Sequence, residues 1–327
     1  MPTCLRILPA LLLVLLMLPG CEERPQFVSR SQLLMGTVVD IVVNASPDLA
    51  GPAIDAAFAE MRRVENQMSS HIEQSDVWRL SHSSGPVEVS AETSEVLRLG
   101  LAVARQSGGA FDLSLGGLKQ LWGIETATPR IPGDEDIRAA LQGIGPDALR
   151  IEGQTVFKQQ SDLQVDLGGI AKGFALDRAV AVLRQAGVRH ASVNAGGDLR
   201  LLGDRGDRPW RIGIQHPRRS GELLATLELA ETAVVTSGDY ERYFERDGVR
   251  YHHLFDPQTG RPARDCQSVT VVADGAMLAD ALATAVFVLG PERGMAFLQQ
   301  FEAEGILVTA SGEVLVTPGL QQQVAGQ

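Results

Sequence analysis

The sequence is poor in cysteine and carries no surplus of positive charge. Three cysteines in 327 residues are too few for a disulfide-stapled scaffold, so a hydrophobic core has to hold the fold. The 29 basic residues stand against 40 acidic ones, which gives a formal net charge of −11. A protein that follows a nucleic-acid backbone needs a basic face, so this balance argues against nucleic acid as a partner.

The chain also lacks a hydrophobic run of membrane-spanning length at its N-terminus. The apolar run at residues 7–18 follows Arg6 and is shorter than the roughly 20 residues that a transmembrane helix needs. This length is typical of a secretory signal. The run ends in Leu18-Pro19-Gly20-Cys21, which resembles the signal of bacterial lipoproteins, whose cysteine is lipidated and becomes the N-terminus. A plain secretion signal with a fortuitous cysteine is the alternative.

We therefore predict a signal peptide at residues 1–20, a tether at residues 21–30 that starts with lipidated Cys21, and one domain at residues 31–320. The mature protein is expected on the periplasmic side of a bacterial membrane, with the inner or outer membrane left open. Without the signal and the lipidated cysteine, Cys266 is the one remaining thiol, and no internal disulfide can form.

Alternating and helical hydrophobic patterns mix along this domain. A β-branched run at residues 33–43 predicts a strand, and apolar residues three and four apart up to Met68 predict a helix. Further helices are predicted at 91–107, 135–142, 172–185, 277–289 and 291–303, and further strands at 149–166, 191–202, 210–215, 223–229, 268–273 and 305–317. No repeat and no long linker divides the pattern. The predicted class is a single α+β domain.

A glycine-containing segment at residues 165–173 lies where a predicted strand gives way to a helix. Paired glycines let the backbone approach a ligand, and the first N–H groups of a helix can bind an anion. Lys172 adds a cation in the first turn, and Asp166 adds an acceptor at the end of the strand. The segment predicts either a phosphate-binding loop or a plain tight turn.

Asp280 and Thr284 are four residues apart in a predicted helix of small and apolar residues, so they share one face. Hard oxygen ligands of this kind suit Mg²⁺. The alternative is an acid stabilised by the helix dipole and a threonine that bonds its own turn.

Two histidines, His252 and His253, precede the turn Asp256-Pro257-Gln258-Thr259-Gly260. One imidazole could act as a base at the edge of a cleft. Zinc binding by the pair is disfavoured, because adjacent residues of a strand point to opposite faces. An ordinary turn with solvated imidazoles is the alternative from this segment alone.

Taken together and in this order, the motifs resemble those of the FAD:protein FMN transferases, the ApbE family of periplasmic flavin-transferring lipoproteins. The matching segments lie between residues 35 and 284: Met35-Gly36-Thr37, Ala110-Phe111-Asp112, 166–173, 194–198, 236–240, 253–260 and 279–284. The resemblance implies the ApbE-like fold. It also implies a reaction that splits the FAD pyrophosphate, releases AMP, and joins FMN through a phosphoester to a Thr or Ser of a target protein.

The resemblance also implies roles for residues of this chain. Gly169 would offer its carbonyl to Mg²⁺ beside the side chains of Asp280 and Thr284. His71 stands where the family has a flavin-stacking or adenine-stacking tyrosine, and His253 matches the family histidine. The other positions that match FAD contacts are Met35, Ala110, Phe111, Asp112, Asp166, Lys172 and Leu254. His253 or Asp256 is expected to act as the base that takes the proton of the acceptor hydroxyl.

The expected partners are FAD and a flavin-accepting protein, such as a subunit of a membrane redox complex. Because the chain is acidic and a pyrophosphate is anionic, bulk electrostatics would repel the substrate. A local cation, Mg²⁺ together with Lys172, is therefore needed. Two alternatives stay open: an FAD pyrophosphatase that releases FMN and AMP, and a non-catalytic flavin- or solute-binding lipoprotein.

Overall fold

The computed structural model describes residues 26–324, so the predicted signal peptide and Cys21 lie outside the described residues. The strands in chain order are β1 Phe27–Leu34, β2 Thr37–Asn44, β3 Val87–Glu88, β4 Leu149–Glu152, β5 Thr155–Lys158, β6 Ala191–Ala195, β7 Asp198–Leu202, β8 Trp210–Gln215, β9 Leu223–Leu229, β10 Ala233–Gly238, β11 Tyr243–Arg246, β12 Val249–His252, β13 Phe255–Asp256, β14 Arg261–Pro262, β15 Cys266–Ala273, β16 Glu304–Thr309 and β17 Val314–Val316. The helices are α1 Pro47–Met68, α2 Asp76–His82, α3 Ala91–Gln106, α4 Gly116–Trp122, α5 Asp134–Ala140, α6 Ala171–Gln185, α7 Ala276–Leu289, α8 Pro291–Leu298 and α9 Gln321–Val324.

An eight-stranded sheet forms the centre, in the order β1-β2-β6-β7-β10-β15-β16-β17. Every neighbouring pair in it is antiparallel. The mixture of this sheet with nine α-helices among residues 26–324 confirms the predicted α+β class.

Two predicted strands are each divided by a glycine turn. The predicted strand at 33–43 was wrong as a single element, because Met35 and Gly36 (φ 53° and 72°) turn the chain between β1 and β2. The run at 191–202 likewise divides at Gly196 and Gly197 (φ 64° and 103°) into β6 and β7. The apolar alternation continues on both sides of each turn, so periodicity did not mark the break.

Strand β1 begins before the predicted domain boundary at residue 31. Phe27–Leu34 pairs along the whole length of β2, so the last residues of the predicted tether are part of the edge strand. Of the residues that the structure describes, no helix is both long enough and apolar enough to cross a membrane.

Three helices cover one face of the sheet. α1 packs against α6, α6 packs against α7, and α7 lies on β10 and β15. The helix α7 is rich in alanine, and Ala279, Ala281, Ala283 and Ala285 are fully buried. Small side chains let its backbone come close to that of α6, where a Cβ on Gly173 would lie 2.1 Å from the carbonyl oxygen of Ala276.

The β8–β9 ribbon covers part of the other face. Trp210, Ile212 and Leu227 of the ribbon form a second core cluster with Val234 and Val272 of the sheet. A third cluster gathers Leu118 and Trp122 of α4 with Ile137 of α5 and Phe255. The indole Nε1 of Trp122 donates to the carbonyl of Gly260 (2.9 Å), which ties α4 to the turn that follows the two histidines.

We expect Gly173→Ala to destabilise the fold, because the added methyl group meets backbone atoms of α7 that cannot rotate away. Overpacking of this kind costs about 1–3 kcal/mol. Gly117→Ala, in α4 with no atom within 4 Å of its added Cβ, is the matched control and should be neutral or stabilising. Urea unfolding of both variants measures the difference, and equal stabilities would contradict the assigned contact.

Candidate functional site

A cavity of about 440 Å³ opens beside the N-terminus of α6. It is lined by segments far apart in the chain: the β1–β2 turn, the residues after α1, the loop after α3, the glycine segment before α6, the residues after β12, and α7. Twelve predicted site residues line it: Met35, His71, Ala110, Phe111, Asp112, Asp166, Gly169, Lys172, His253, Leu254, Asp280 and Thr284. The fold therefore brings together all of the predicted catalytic, FAD-binding and metal-binding residues except Asp256, and Cys21 lies outside the described residues.

A hydrogen bond links the β1–β2 turn to α1. The backbone N–H of Met35, a residue with positive φ, donates to Oε1 of Glu65 (2.7 Å). Glu65 is itself a lining residue that the sequence analysis missed. His71 lies in the turn after α1, and its exposed side chain faces the same cavity.

The loop after α3 presents a buried carboxylate to the cavity. Ser107 caps the loop by accepting from the N–H of Phe111 (3.1 Å). Oδ1 of Asp112 accepts from the N–H of Ser114 (2.7 Å), whereas its Oδ2 is buried and has no hydrogen-bond partner. Burial raises the pKa of Asp112. An unpartnered buried acceptor is costly, so this oxygen is suited to receive a donor from a ligand.

The glycine segment holds an ion pair at its start. Oδ1 of Asp166 accepts from the N–H of Gly168 (2.9 Å) and lies 2.5 Å from Nζ of Lys119. Burial by itself would raise the pKa of Asp166, but Lys119 outweighs it and the pKa is lowered. The carboxylate therefore stays ionised. No motif marked Lys119, since a single lysine in a short amphipathic helix is an ordinary surface feature.

The first turn of α6 lies in a cluster of acidic side chains. Nζ of Lys172 contacts the buried carboxylate of Asp198, and Oδ2 of Asp280 accepts from the N–H of Gly173 (3.0 Å). Burial and the charge of Asp198 raise the pKa of Asp280 to about 7. Burial would lower the pKa of Lys172, but Asp198 and Asp280 raise it above its ordinary value. Lys172 therefore stays protonated, but the neighbouring carboxylates largely cancel its positive charge.

Oxygen atoms suited to a hard cation meet beside this turn. A Cβ built on Gly169 would lie 2.9 Å from Oγ1 of Thr284, and Oγ of Ser237 lies 3.5 Å from that same hydroxyl. Asp280 stands one helical turn before Thr284. Residues 26–324 contain no group of three His, Cys, Asp or Glu side chains placed to hold a metal. The predicted site uses one carboxylate, one hydroxyl and one carbonyl, and this set fits Mg²⁺, which completes its shell with water and phosphate oxygens.

The two histidines have different environments. Nδ1 of His252 accepts from the N–H of Leu254 (3.2 Å), so its Nε2 is protonated and donates to the carbonyl of Ala263 (2.7 Å). His252 is thus a buried neutral residue with both nitrogens engaged. His253 lines the cavity, and its Nδ1 is buried without a partner. Burial, followed by the charges of Lys119 and Arg242, lowers the pKa of His253 to about 3.

Asp256 is held in the turn and does not line the cavity. Its Oδ1 accepts from the N–H of Gln258 (2.9 Å), and its Oδ2 accepts from the hydroxyl of Thr259 (3.0 Å). This is the turn-stabilising geometry of an Asp-Pro turn. The geometry therefore favours His253 as the residue that could accept a proton in the cavity.

A cavity of about 440 Å³, a helix N-terminus with glycines and oxygen atoms suited to a hard cation fit a protein that handles a large phosphate-bearing ligand. Comparison with known sequences gives the family. The profile of the ApbE family matches residues 35–307, and the chain belongs to that family, as its motifs predicted.

Relatives and solved structures agree with this assignment. The chain is 37% identical over 313 residues to the FAD:protein FMN transferase of Vibrio cholerae, covering 91% of this chain and 92% of that protein. It is 31% identical to the FAD:protein FMN transferase of Escherichia coli K12, covering 94% and 93%. The crystal structure of the ApbE protein of Thermotoga maritima superposes with a TM-score of 0.86 at 36% identity, covering 91% and 99%. The flavin transferase ApbE of Vibrio cholerae gives 0.80 at 33%, covering 92% and 100%.

We expect His253 to make stability depend on pH. The folded protein keeps its ring neutral down to about pH 3, whereas the unfolded chain binds a proton below 6.5. The contribution of neutral His253 to the free energy of unfolding is therefore complete above pH 6.5 and is lost as the pH falls toward 3. In His253→Gln the free energy of unfolding should vary less steeply in this window, by up to about 1.4 kcal/mol per pH unit.

Urea unfolding from pH 4 to 8 measures this slope. His82→Gln, which removes an exposed histidine from α2, is the control variant and is measured under the same conditions. An equal change of slope in both variants would contradict the burial of His253.

Proposed function

We propose that this chain is an FAD:protein FMN transferase. The acceptor hydroxyl of a Thr or Ser forms a bond to the phosphorus of the FMN half, the pyrophosphate P–O bond breaks, and AMP leaves with the bridging oxygen. The observation that carries the proposal is the meeting of an anion-accepting helix N-terminus and a set of hard oxygen ligands inside one cavity. The relatives that bear this name match nearly the whole chain.

Magnesium is proposed as the cation of the site, held by the carbonyl of Gly169 and the side chains of Asp280 and Thr284. A bound divalent ion would neutralise charge that develops on the phosphate oxygens. The raised pKa of Asp280 supports this proposal. A buried carboxylate beside a second carboxylate binds a proton more readily than a free one. A cation bound at this position would keep Asp280 ionised.

His253 is proposed as the base that takes the acceptor proton. Its ring lines the cavity, and its Nδ1 is engaged by no other group among the described residues, so no hydrogen bond has to break before it takes a proton. A base must be deprotonated before the transfer and close to the hydroxyl that it deprotonates. Leu254 and Phe255, both buried, hold the backbone beside it and limit the access of water.

The FAD contacts are proposed for the remaining lining residues. Met35 and His71 lie on one side of the cavity, the loop with Ala110, Phe111 and Asp112 on another, and Asp166, Lys172 and Leu254 complete the lining. The unpartnered Oδ2 of Asp112 supports a polar contact to the substrate there. The acceptor is proposed to be a protein such as a subunit of a membrane redox complex.

Incubation of the purified protein with FAD, Mg²⁺ and a flavin-accepting subunit should give an acceptor that fluoresces in a denaturing gel. Asp280→Ala should lower the transfer rate about 100-fold or more, because it removes the charged ligand proposed for the cation. EDTA should have a similar effect on the wild type. Asp274→Ala, an exposed acid just before α7, is the matched control and should retain activity.

The same reaction mixtures separate the alternatives. Rapid AMP release in the absence of the acceptor would favour an FAD pyrophosphatase. Bound FAD recovered intact after long incubation with Mg²⁺ and the acceptor would favour a non-catalytic flavin-binding lipoprotein. An acceptor without fluorescence in every reaction would overturn the transferase proposal, and mass spectrometry of the acceptor would show FMN on a Thr or Ser if it holds.

We further propose that the protein is exported and anchored by lipid on Cys21, which lies outside the described residues. The support is the signal-like sequence at residues 1–20. In fractionated cells the wild type should sediment with membranes, whereas Cys21→Ser should remain in the soluble periplasmic fraction because it lacks the acyl chains. Equal membrane association of both proteins would contradict the anchor.

A further inference from the structure

Lys119 is a cation of the cavity that the motifs did not mark. It lies in α4 and lines both the main cavity and a second, smaller cavity of about 150 Å³. Its Nζ contacts Oδ1 of Asp166 at 2.5 Å. An ammonium group has three donors, and Asp166 is the one partner found for it among residues 26–324. Two donors therefore remain for a ligand.

The two lysines of the cavity differ in how far their charge is neutralised. Lys172 contacts Asp198 and also lies in the field of Asp280 and Glu241. Three carboxylates around one ammonium group give this part of the cavity a net negative charge. That charge repels a phosphate unless a metal ion is bound. Among the described residues, Lys119 has a single acidic contact, Asp166. Of the two, Lys119 is the side chain with positive charge still available to an anion.

The two glycines of the segment each lie beside a different polar group of the cavity. A Cβ on Gly168 would lie 3.0 Å from Nζ of Lys119, whereas a Cβ on Gly169 would lie 2.9 Å from Oγ1 of Thr284. The ammonium group thus borders the segment at Gly168, and the oxygen ligands for the cation border it at Gly169. A pyrophosphate has anionic oxygens on both phosphorus atoms, so it can contact both groups at once.

We propose that Lys119 binds an anionic oxygen of the FAD pyrophosphate beside Gly168, while the oxygen ligands proposed at Asp280 and Thr284 hold the cation near Gly169. This inference rests on the proposed function, because it takes FAD as the substrate. It assigns Lys119 a substrate contact, whereas the pairing with Asp166 alone would make it a structural residue. The two roles make different predictions for a pair of substitutions.

The test is a double-mutant cycle of Lys119→Met and Asp166→Asn, read as the dissociation constant of FAD. Binding is followed by flavin fluorescence in EDTA without acceptor, so that neither metal binding nor transfer enters the result. If Lys119 binds phosphate, Lys119→Met weakens FAD binding about 10-fold or more in both backgrounds, since a charged hydrogen bond is lost. If Lys119 only neutralises Asp166, its substitution has no effect in the Asp166→Asn background, and the inference is wrong.

Riboflavin and inorganic pyrophosphate serve as partial ligands. Lys119→Met should leave riboflavin affinity unchanged and should weaken competition by pyrophosphate, and Lys119→Arg should restore much of the FAD affinity. An equal loss of riboflavin binding would indicate a general distortion and would overturn the assignment. Arg105→Met, which removes an exposed positive charge paired with Asp147, is the control for net charge and should bind FAD as the wild type does.

Failure of this inference is distinguishable from failure of the proposed function. A protein that flavinylates its acceptor but binds FAD equally well without Lys119 would keep the transferase proposal and overturn this contact. A protein that binds FAD through Lys119 but transfers no FMN would keep this contact and overturn the transferase proposal.

Discussion

The close contact between the first turn of α6 and α7 is the constraint on which the site depends. Gly173 has no side chain, so the backbones approach, and its N–H donates to the buried carboxylate of Asp280. This one hydrogen bond joins the first turn of α6 to the carboxylate that we propose as a cation ligand on α7. A larger residue at 173 would separate the glycine segment from Asp280 and Thr284.

The distribution of charge follows from this contact. An acidic protein has to bring an anionic substrate to a buried site, and the carboxylates Asp198 and Asp280 next to Lys172 make that site more acidic still. We therefore propose positive charge at two places: a cation held by Asp280 and Thr284, and the ammonium group of Lys119 beside Gly168. In this arrangement the fold places local charges of both signs beside the cavity.

Much of the site could be predicted from the sequence, because each motif is short and continuous. The segment at 166–173 and the pair Asp280 and Thr284 were found by their spacing, and the family resemblance assigned them to one cavity, where the structure places them. Lys119 and Glu65 were missed, since each is an isolated charge on a helix. Asp256 was expected near the substrate, but its carboxylate is hydrogen-bonded within its own turn.

The sequence by itself determined the α+β class, most helices, and the family, because hydrophobic periodicity and contiguous motifs are local properties of the chain. The tertiary structure alone decided which charges meet. Contacts between residues distant in the sequence pair Lys119 with Asp166 and Lys172 with Asp198. Burial in the folded chain keeps His253 neutral. Electrostatic interactions act through space, so their strength is known only once the chain is folded.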